Sequence, residues 1–165
     1  MHSLNEEDYN QVKAWMAYLE YEKTNPMQRS EEEFHHWMKQ SYERALGCCQ
    51  YCPDLWLSYI EYANHISHDF VLSVLDKAKN ALSDSVFFRI RICEFLESIN
   101  EIPKADSEYR RLVNDCNNPT PWIIYQQFTL RNFGISASRE VFQRARLSCK
   151  APELYIAAGC CLQVG

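Results

Sequence analysis

A two-part aromatic pattern recurs along this chain at a spacing of about 33 residues, a period typical of stacked helical hairpins rather than of one globular core. Its first part, Trp-x-x-Tyr followed by a third aromatic, begins at Trp15, Trp56 and Trp122. The same period places counterparts at Arg89 and Tyr155. The steps from Trp56 onwards are equal, and only the step from Trp15 to Trp56 is longer, so an extended connection in the first repeat is expected.

The second part of the pattern keeps the same period independently of the first. It begins at Tyr42, Leu75, Tyr109 and Phe142, at nearly equal steps. We therefore predict an all-α fold, a right-handed α-solenoid of antiparallel helical hairpins in a single array over residues 1–165, itself a piece of a longer solenoid. The predicted repeats are approximately 8–50, 53–83, 84–116 and 119–149, with a partial repeat at 152–165.

Local signals predict where several helices begin and end. Asn25-Pro26 should end the first helix, because a residue before proline avoids helical dihedral angles. Ser30 and Glu33 form a capping-box pattern, and Pro53 suits the first turn of the third helix. Ser83-Asp84 is expected to cap the fifth helix, and the seventh is expected to start at Trp122 after a proline-rich break.

Composition and charge exclude several classes of function. The 165 residues are 47% apolar and include 4 glycines, which fits helices better than strands and turns. No apolar run approaches a membrane span, and the acidic start lacks the features of a signal peptide, so we expect an intracellular protein without a membrane partner. Residues 1–82 carry 7 Lys/Arg against 13 Asp/Glu, and residues 83–165 carry 10 against 9. Neither half has the basic excess of a nucleic-acid surface, so RNA contact is expected to be indirect.

The sequence offers few candidate catalytic or metal-binding residues. Cys49-x-x-Cys52 has the spacing of half a zinc site, but no second pair completes it, and reduced packing thiols are the favoured interpretation. His65-x-x-His68 lacks further ligands in the same way. Phosphate-binding loops and nucleophile elbows are absent from the sequence. We predict a protein that is not an enzyme and has no catalytic, cofactor or metal site.

Charged residues also recur at the repeat period. Acidic residues occupy one position of the first helices, and basic residues occupy one position of the second helices. The acidic set is Glu20, Glu61 and Glu94, and the basic set is Arg44, Lys77, Arg111 and Arg144. These charges either line a binding groove or pair between helices to fix their register, and we favour pairing.

The two parts of the pattern resemble the HAT (half-a-TPR) repeat, whose first helix carries Trp-x-x-Tyr-x-x-aromatic-Glu and whose second carries Tyr/Phe-x-Arg-Ala. We call these the first-helix motif and the second-helix motif. The residues that carry the resemblance, predicted as structural repeat positions, are Trp15, Tyr18, Tyr21, Glu22, Tyr42, Arg44, Ala45, Trp56, Tyr59, Tyr62, Ala78, Phe95, Tyr109, Trp122, Tyr125, Phe128, Phe142, Arg144, Ala145 and Tyr155. The chain departs from the pattern at Arg89, and the closing Glu is missing after Tyr62, Phe95 and Phe128.

Two stretches, from Trp15 to Tyr42 and from Trp122 to Arg146, are similar to the suppressor-of-forked family of mRNA 3′-end processing. This resemblance implies a nuclear scaffold, a homodimer in the full-length protein, and binding of an RNA-recognition subunit and a WD-repeat subunit. Which surface would bind a partner is not indicated. A HAT scaffold of splicing or rRNA processing is the alternative, and a helical module that binds RNA directly is the alternative from another class.

Overall fold

The structure is a computed structural model that describes residues 6–149. These residues form α-helices joined by short connections, and none of them lies in a strand. The helices are α1 (Glu6–Lys23), α2 (Glu31–Cys48), α3 (Pro53–Ile66), α4 (His68–Ala81), α5 (Val86–Ser98), α6 (Ile102–Asp115), α7 (Pro119–Phe133) and α8 (Ile135–Ser148).

Neighbouring helices pack in pairs. The pairs are α1 with α2, α3 with α4, α5 with α6 and α7 with α8, and α2 also packs on α3 as α6 does on α7. The chain divides into two compact units, one containing α1 to α4 and the other α5 to α8. The predicted all-α architecture of adjacent helix pairs is confirmed. The continuity of the array and its right-handed sense stay predictions, and the partial repeat at 152–165 lies outside the described residues.

Each unit has its own apolar core. In the first unit the largest fully buried side chains are Leu19, Met38, Tyr42, Leu55, Tyr59, Ile60 and Leu75. In the second they are Phe88, Ile92, Tyr109, Tyr125 and Phe128. Tyrosines are therefore a large part of both cores, and each brings a hydroxyl group that needs a partner or remains unpaired. Among the described helices, none combines the length and the apolar character needed to cross a bilayer.

The helix starts follow local side-chain chemistry. The Ser30 Oγ accepts from the Glu33 backbone N–H at 3.4 Å, and the Glu33 carboxylate accepts from the Ser30 N–H at 3.3 Å, which confirms the capping box. Two predicted starts were wrong. The cap of α5 is Ser85, whose hydroxyl accepts from the Phe88 N–H, rather than Ser83-Asp84.

The seventh helix begins at Pro119, three residues before the predicted start at Trp122. The Asn118 side chain accepts a hydrogen bond from the Thr120 N–H at 3.0 Å and so caps the helix. Both Pro119 and Pro121 fall in the first turn, where a missing N–H costs no helical hydrogen bond. The two prolines are therefore part of the helix rather than of a break before it.

Candidate interaction surface

The junction between α2 and α3 is built from the aromatic residues of the two motifs. The ring of Tyr42, on α2, stacks on the ring of Tyr59 with centroids 4.7 Å apart and lies 5.6 Å from that of Tyr62. The hydroxyl groups of Tyr42 and Ser58 are 2.9 Å apart, within hydrogen-bond distance. On the same helix pair, the His35 Nδ1 lies 2.9 Å from the Tyr62 hydroxyl oxygen. Burial and the neighbouring Tyr42 raise the pKa of Tyr62 to about 12, so its hydroxyl stays protonated at neutral pH.

The junction between α6 and α7 repeats this arrangement. The Tyr109 ring stacks on that of Tyr125 at 5.5 Å and lies 4.8 Å from that of Phe128. The Tyr125 hydroxyl donates to the Asp106 carboxylate at 2.8 Å and accepts from the Arg110 Nε at 3.2 Å. In both junctions, one tyrosine of the second-helix motif contacts the second and third aromatic residues of the next first-helix motif.

The tryptophans of the first-helix motif differ in their surroundings. Trp56 is buried and donates its indole N–H to the Gln50 carbonyl at 2.7 Å. Trp122 is also buried, whereas Trp15 is half-buried and meets Tyr18 edge to face. The guanidinium groups of Arg44 and Arg144 lie 5.9 and 5.8 Å from the ring centres of Trp15 and Trp122, as in cation–π pairs. In these two repeats, the arginine of the second-helix motif thus faces the tryptophan of its own hairpin.

Arg89, which replaces the tryptophan in the third repeat, is held by an ion pair. Its Nη2 lies 2.8 Å from a carboxylate oxygen of Asp115, at the end of α6. Arg111, the arginine of the second-helix motif in this repeat, pairs instead with Glu108 on its own helix at 3.7 Å. If Arg111 faced Arg89 as Arg44 faces Trp15, the two positive charges would repel each other. The third repeat therefore has an ion pair in place of the cation–π contact.

The recurring charges do not form the predicted inter-helix pairs as a series. Lys77 pairs between helices, with Glu43 of α2 at 3.6 Å. Glu20 and Glu94 pair with a basic residue one turn away on the same helix. The acidic and basic sets therefore do not pair with each other within residues 6–149: Arg111 pairs on its own helix, and Arg44 and Arg144 lie on tryptophan faces.

A buried carboxylate closes the long connection between α1 and α2. Glu22 ends the first-helix motif, is only 7% exposed, and accepts the indole N–H of Trp37 at 2.7 Å. The Arg29 guanidinium lies 3.4 Å from the same carboxylate and 4.3 Å from the Trp37 ring centre. Asn25 holds the connection by exchanging two hydrogen bonds with the Arg29 backbone. Glu22 was predicted as a repeat position, but its contact with Trp37 was missed.

A polar cluster joins α5 to α7 in the second unit. The Arg131 guanidinium donates to both carboxylate oxygens of Glu97, at 3.0 and 2.8 Å, and Asn132 donates to one of them at 2.8 Å. The hydrogen bond from Arg131 holds the pKa of Glu97 below its ordinary value. These residues lie outside the motifs. Glu97 and Arg131 stand about one repeat period apart, which was the signal in the sequence that could have revealed them.

The predicted repeat positions fall into three groups by exposure. The buried ones are Glu22, Tyr42, Ala45, Trp56, Tyr59, Tyr62, Ala78, Tyr109, Trp122, Tyr125, Phe128 and Ala145. The half-buried ones are Trp15, Tyr18, Phe95 and Phe142. Tyr21, Arg44 and Arg144 are exposed, and Tyr155 lies outside the described residues. Phe95 is only half-buried because Cys93 and Leu96 take the buried face at that end of α5.

Large apolar side chains that reach solvent mark surface available for contacts. In the first unit they are Tyr9, Tyr21, Met27 and Tyr51, and in the second Phe87, Phe133, Ile135 and Leu147. Scattered single residues of this kind are ordinary on a protein surface, whereas a connected stripe indicates an interaction site. Tyr21 is exposed three residues after Tyr18 on α1, whereas Trp15 and Tyr18 are half-buried.

The thiols and imidazoles do not converge on a metal-binding group within the described residues. Cys52 and Cys93 are buried, Cys48 is exposed, and the described cysteines are free. Burial raises the pKa of the Cys49 thiol, which disfavours the thiolate needed for reactivity or metal binding. Cys160 and Cys161 lie outside the described residues.

Comparison with known proteins agrees with the repeat geometry. Residues 1–160 match the family described as suppressor of forked protein. The chain is 30% identical over 138 residues to cleavage stimulation factor subunit 77 of Arabidopsis thaliana, covering 82% of this chain and 18% of that protein. It is 26% identical over 166 aligned positions to the mRNA 3′-end-processing protein RNA14 of Candida glabrata, covering 87% of this chain and 26% of the relative.

The chain thus spans about a fifth to a quarter of the length of these two relatives. The family match covers both units and reaches every predicted repeat, including both stretches that carried the resemblance in the sequence. It agrees with the structure, in which residues of the repeated motifs join neighbouring helices. On this basis, the chain belongs to the suppressor of forked family.

Proposed function

We propose that this chain is part of a non-catalytic protein-interaction scaffold that acts in pre-mRNA 3′-end processing in the nucleus. The family match over residues 1–160 carries the proposal. The relatives whose names refer to cleavage stimulation and to mRNA 3′-end processing supply the process. The packing supports a scaffold, because the most distinctive side chains hold helices together and leave the outer faces for partners.

The proposed partners are other cleavage and polyadenylation factors, including an RNA-recognition subunit and a WD-repeat subunit. The full-length protein is proposed to be a homodimer. RNA is proposed to be reached through these partners, which the charge supports: residues 1–82 have a balance of −6 and residues 83–165 of +1. A surface that neutralises many phosphates would need a basic excess that neither half carries.

We propose that the chain is not catalytic because of where the groups with shifted pKa values lie. The largest pKa shifts among the described residues belong to buried core tyrosines, as burial disfavours the phenolate. A catalytic site would place shifted acids, bases or nucleophiles together in a cleft. Here the two most shifted groups, Tyr59 and Tyr109, instead lie at packing contacts between helices.

Affinity purification tests the proposal. The tagged full-length protein, recovered from nuclear extract of its own organism after nuclease treatment, should bring down cleavage and polyadenylation factors, identified by mass spectrometry. Nuclease treatment removes proteins that are joined only through RNA. Recovery of splicing or ribosome-assembly proteins without cleavage factors would contradict the proposal and support another HAT scaffold.

Filter binding of this chain to single-stranded RNA distinguishes a protein-interaction scaffold from a module that binds RNA directly. The scaffold proposal predicts weak binding of the isolated chain at about 50 mM and about 200 mM salt, with little difference between them. A tight affinity that falls steeply between these concentrations would identify a direct RNA-binding module instead.

A further inference from the structure

A cluster of thiols lies at the connection between α2 and α3. Cys48 ends α2 and is exposed, Cys49 follows it and is half-buried, and Cys52 is buried directly before α3. All three are free thiols. The other cysteines among residues 6–149 stand singly in the sequence, so this connection is where the described part of the chain brings neighbouring thiols together.

The backbone holds Cys49 and Cys52 at the two ends of a tight turn. The Cys52 N–H donates to the Cys49 carbonyl at 3.1 Å, across Gln50 and Tyr51. The α carbons at the ends of such a turn are less than about 7 Å apart. Disulfide-linked residues have α carbons about 4.4–6.8 Å apart, so a disulfide across this turn requires little movement of the backbone.

Cys52 occupies a position at which other helices of this chain use an oxygen side chain. Ser30, Ser67 and Ser85 each cap a helix by accepting a hydrogen bond from a backbone N–H. Cys52 is the N-cap residue of α3, and its side chain makes no such hydrogen bond. Because a thiol is a weak acceptor, Cys52 lacks the stabilisation that a capping oxygen supplies. Helix capping therefore does not explain the thiol at this position.

The turn is also joined to the core of the first unit. The Gln50 carbonyl, within the turn, accepts the indole N–H of buried Trp56 at 2.7 Å. The Cys52 carbonyl accepts the Trp56 backbone N–H at 3.4 Å. A covalent link between the ends of the turn would therefore fix the carbonyl that Trp56 contacts and the first turn of α3.

We propose that Cys49 and Cys52 form a reversible disulfide that locks the connection between α2 and α3. The oxidant is a small-molecule disulfide such as oxidised glutathione. The Cys49 thiolate attacks one of its sulfur atoms and releases one glutathione thiolate, and the Cys52 thiolate then attacks the Cys49 sulfur and releases the second. Two protein thiols are oxidised, one glutathione disulfide is reduced, and the two thiol protons end on the two glutathione molecules. This redox device goes beyond the scaffold function and does not depend on it.

The surroundings of Cys49 affect the rate and the equilibrium of this exchange differently. Burial raises the pKa of the Cys49 thiol, and the neighbouring Cys48 and Cys52 act in the same direction. The smaller thiolate fraction slows the first attack. It also leaves the reduced form without the thiolate stabilisation that makes some cysteine pairs strong oxidants. The disulfide is therefore expected to form slowly and to be stable once formed.

Equilibration with glutathione tests the proposal. The reduced chain is held without oxygen in mixtures of reduced and oxidised glutathione, and its free thiols are then blocked. Disulfides are next reduced, labelled with a second reagent and located by tandem mass spectrometry. Cys49 and Cys52 should become oxidised together. Their equilibrium constant should be at least ~10-fold larger in the folded chain than in the same chain in urea, because the fold holds the turn closed.

Cys48→Ser is the matched control, since it removes the exposed neighbouring thiol and leaves the turn intact. This variant should show the same joint oxidation with the same equilibrium constant. Cys49→Ser should leave Cys52 reduced, and Cys52→Ser should leave Cys49 able to form only a mixed disulfide with glutathione. Circular dichroism checks that each variant is folded.

Two results would overturn the proposal. One is a folded chain that forms the Cys49–Cys52 disulfide no more readily than the urea-unfolded chain. The other is oxidation of Cys48 while Cys49 and Cys52 both remain thiols.

Discussion

At the scale of single residues, two buried tyrosines differ in what their hydroxyl groups contact. The Tyr125 hydroxyl has both an acceptor and a donor, whereas the Tyr109 hydroxyl has no hydrogen-bond partner among the described residues. Burial raises the pKa of both hydroxyl groups. An unpaired buried hydroxyl loses its hydration without compensation, so Tyr109 stabilises the fold through its ring alone.

Tyr109→Phe should therefore leave the free energy of unfolding unchanged or raise it slightly. Tyr125→Phe should lower it by about 1–2 kcal/mol, because it removes a hydrogen bond to a carboxylate and leaves Asp106 and Arg110 without that partner. Urea denaturation followed by circular dichroism measures both changes. A larger loss for Tyr109→Phe than for Tyr125→Phe would mean that the Tyr109 hydroxyl has a partner of its own.

Glu97 and Arg131 predict a dependence of stability on pH. The pKa of Glu97 is lower in the folded state than its ordinary value of 4.5, so the stability from this pair is present above that pH. It is lost as pH falls through the lowered pKa. The difference in unfolding free energy between the unaltered chain and Arg131→Gln should thus be full at neutral pH and shrink as the solution is acidified below the ordinary pKa of Glu97.

Arg91→Gln is the control for this prediction, since it removes an exposed arginine whose partner, Glu94, is one turn away on the same helix. Its effect on unfolding should be smaller at neutral pH and vary less with pH. Equal pH profiles for the two variants would contradict the assignment to Glu97.

At the scale of helices and their connections, Glu22 links α1, the long connection and α2. Its carboxylate accepts from the Trp37 indole, and Arg29 lies beside both. Glu22→Ala should lower the free energy of unfolding by about 1.5–3 kcal/mol, the range for hydrogen bonds to a charged group. Thermal and urea unfolding of Glu22→Ala, Trp37→Phe and the double variant provide the measurement.

The double variant tests the contact directly. If the two residues interact as the structure shows, the double variant should be less destabilised than the sum of the single changes. Additive losses would mean that Glu22 stabilises the chain through something other than Trp37.

The helix pairs show which contacts the sequence could reveal. The aromatic period identified Tyr42, Tyr59, Tyr109 and Tyr125 in advance, because a large ring at a fixed step in every repeat is constrained by packing. The pair of Arg89 and Asp115 was not foreseen. The sequence shows that Arg89 replaces an aromatic residue of the motif, but it does not show which residue Arg89 contacts. That contact depends on where α6 ends.

At the scale of the whole molecule, the first-helix motif predicts which aromatic residues share one side of a helix. Whether those residues are buried depends on which helix packs against that side. This is why the fold class could be predicted from the sequence while the exposure of Tyr21 could not. The predicted starts of α5 and α7 failed for a local reason, since the choice among neighbouring Ser, Asp and Asn caps depends on backbone geometry. The role of the repeat positions in binding partners stays a prediction.

In α3 and α7, the first-helix motif packs its aromatic side chains against the preceding helix. Unfolding of the whole chain in urea, compared between Trp56→Ala and Trp15→Ala, tests it most directly. Trp56 is buried and its loss should cost about 3–5 kcal/mol, whereas loss of half-buried Trp15 should cost less than half as much. Equal losses, or a loss below about 1 kcal/mol for Trp56→Ala, would show that the motif does not stabilise the fold in this way.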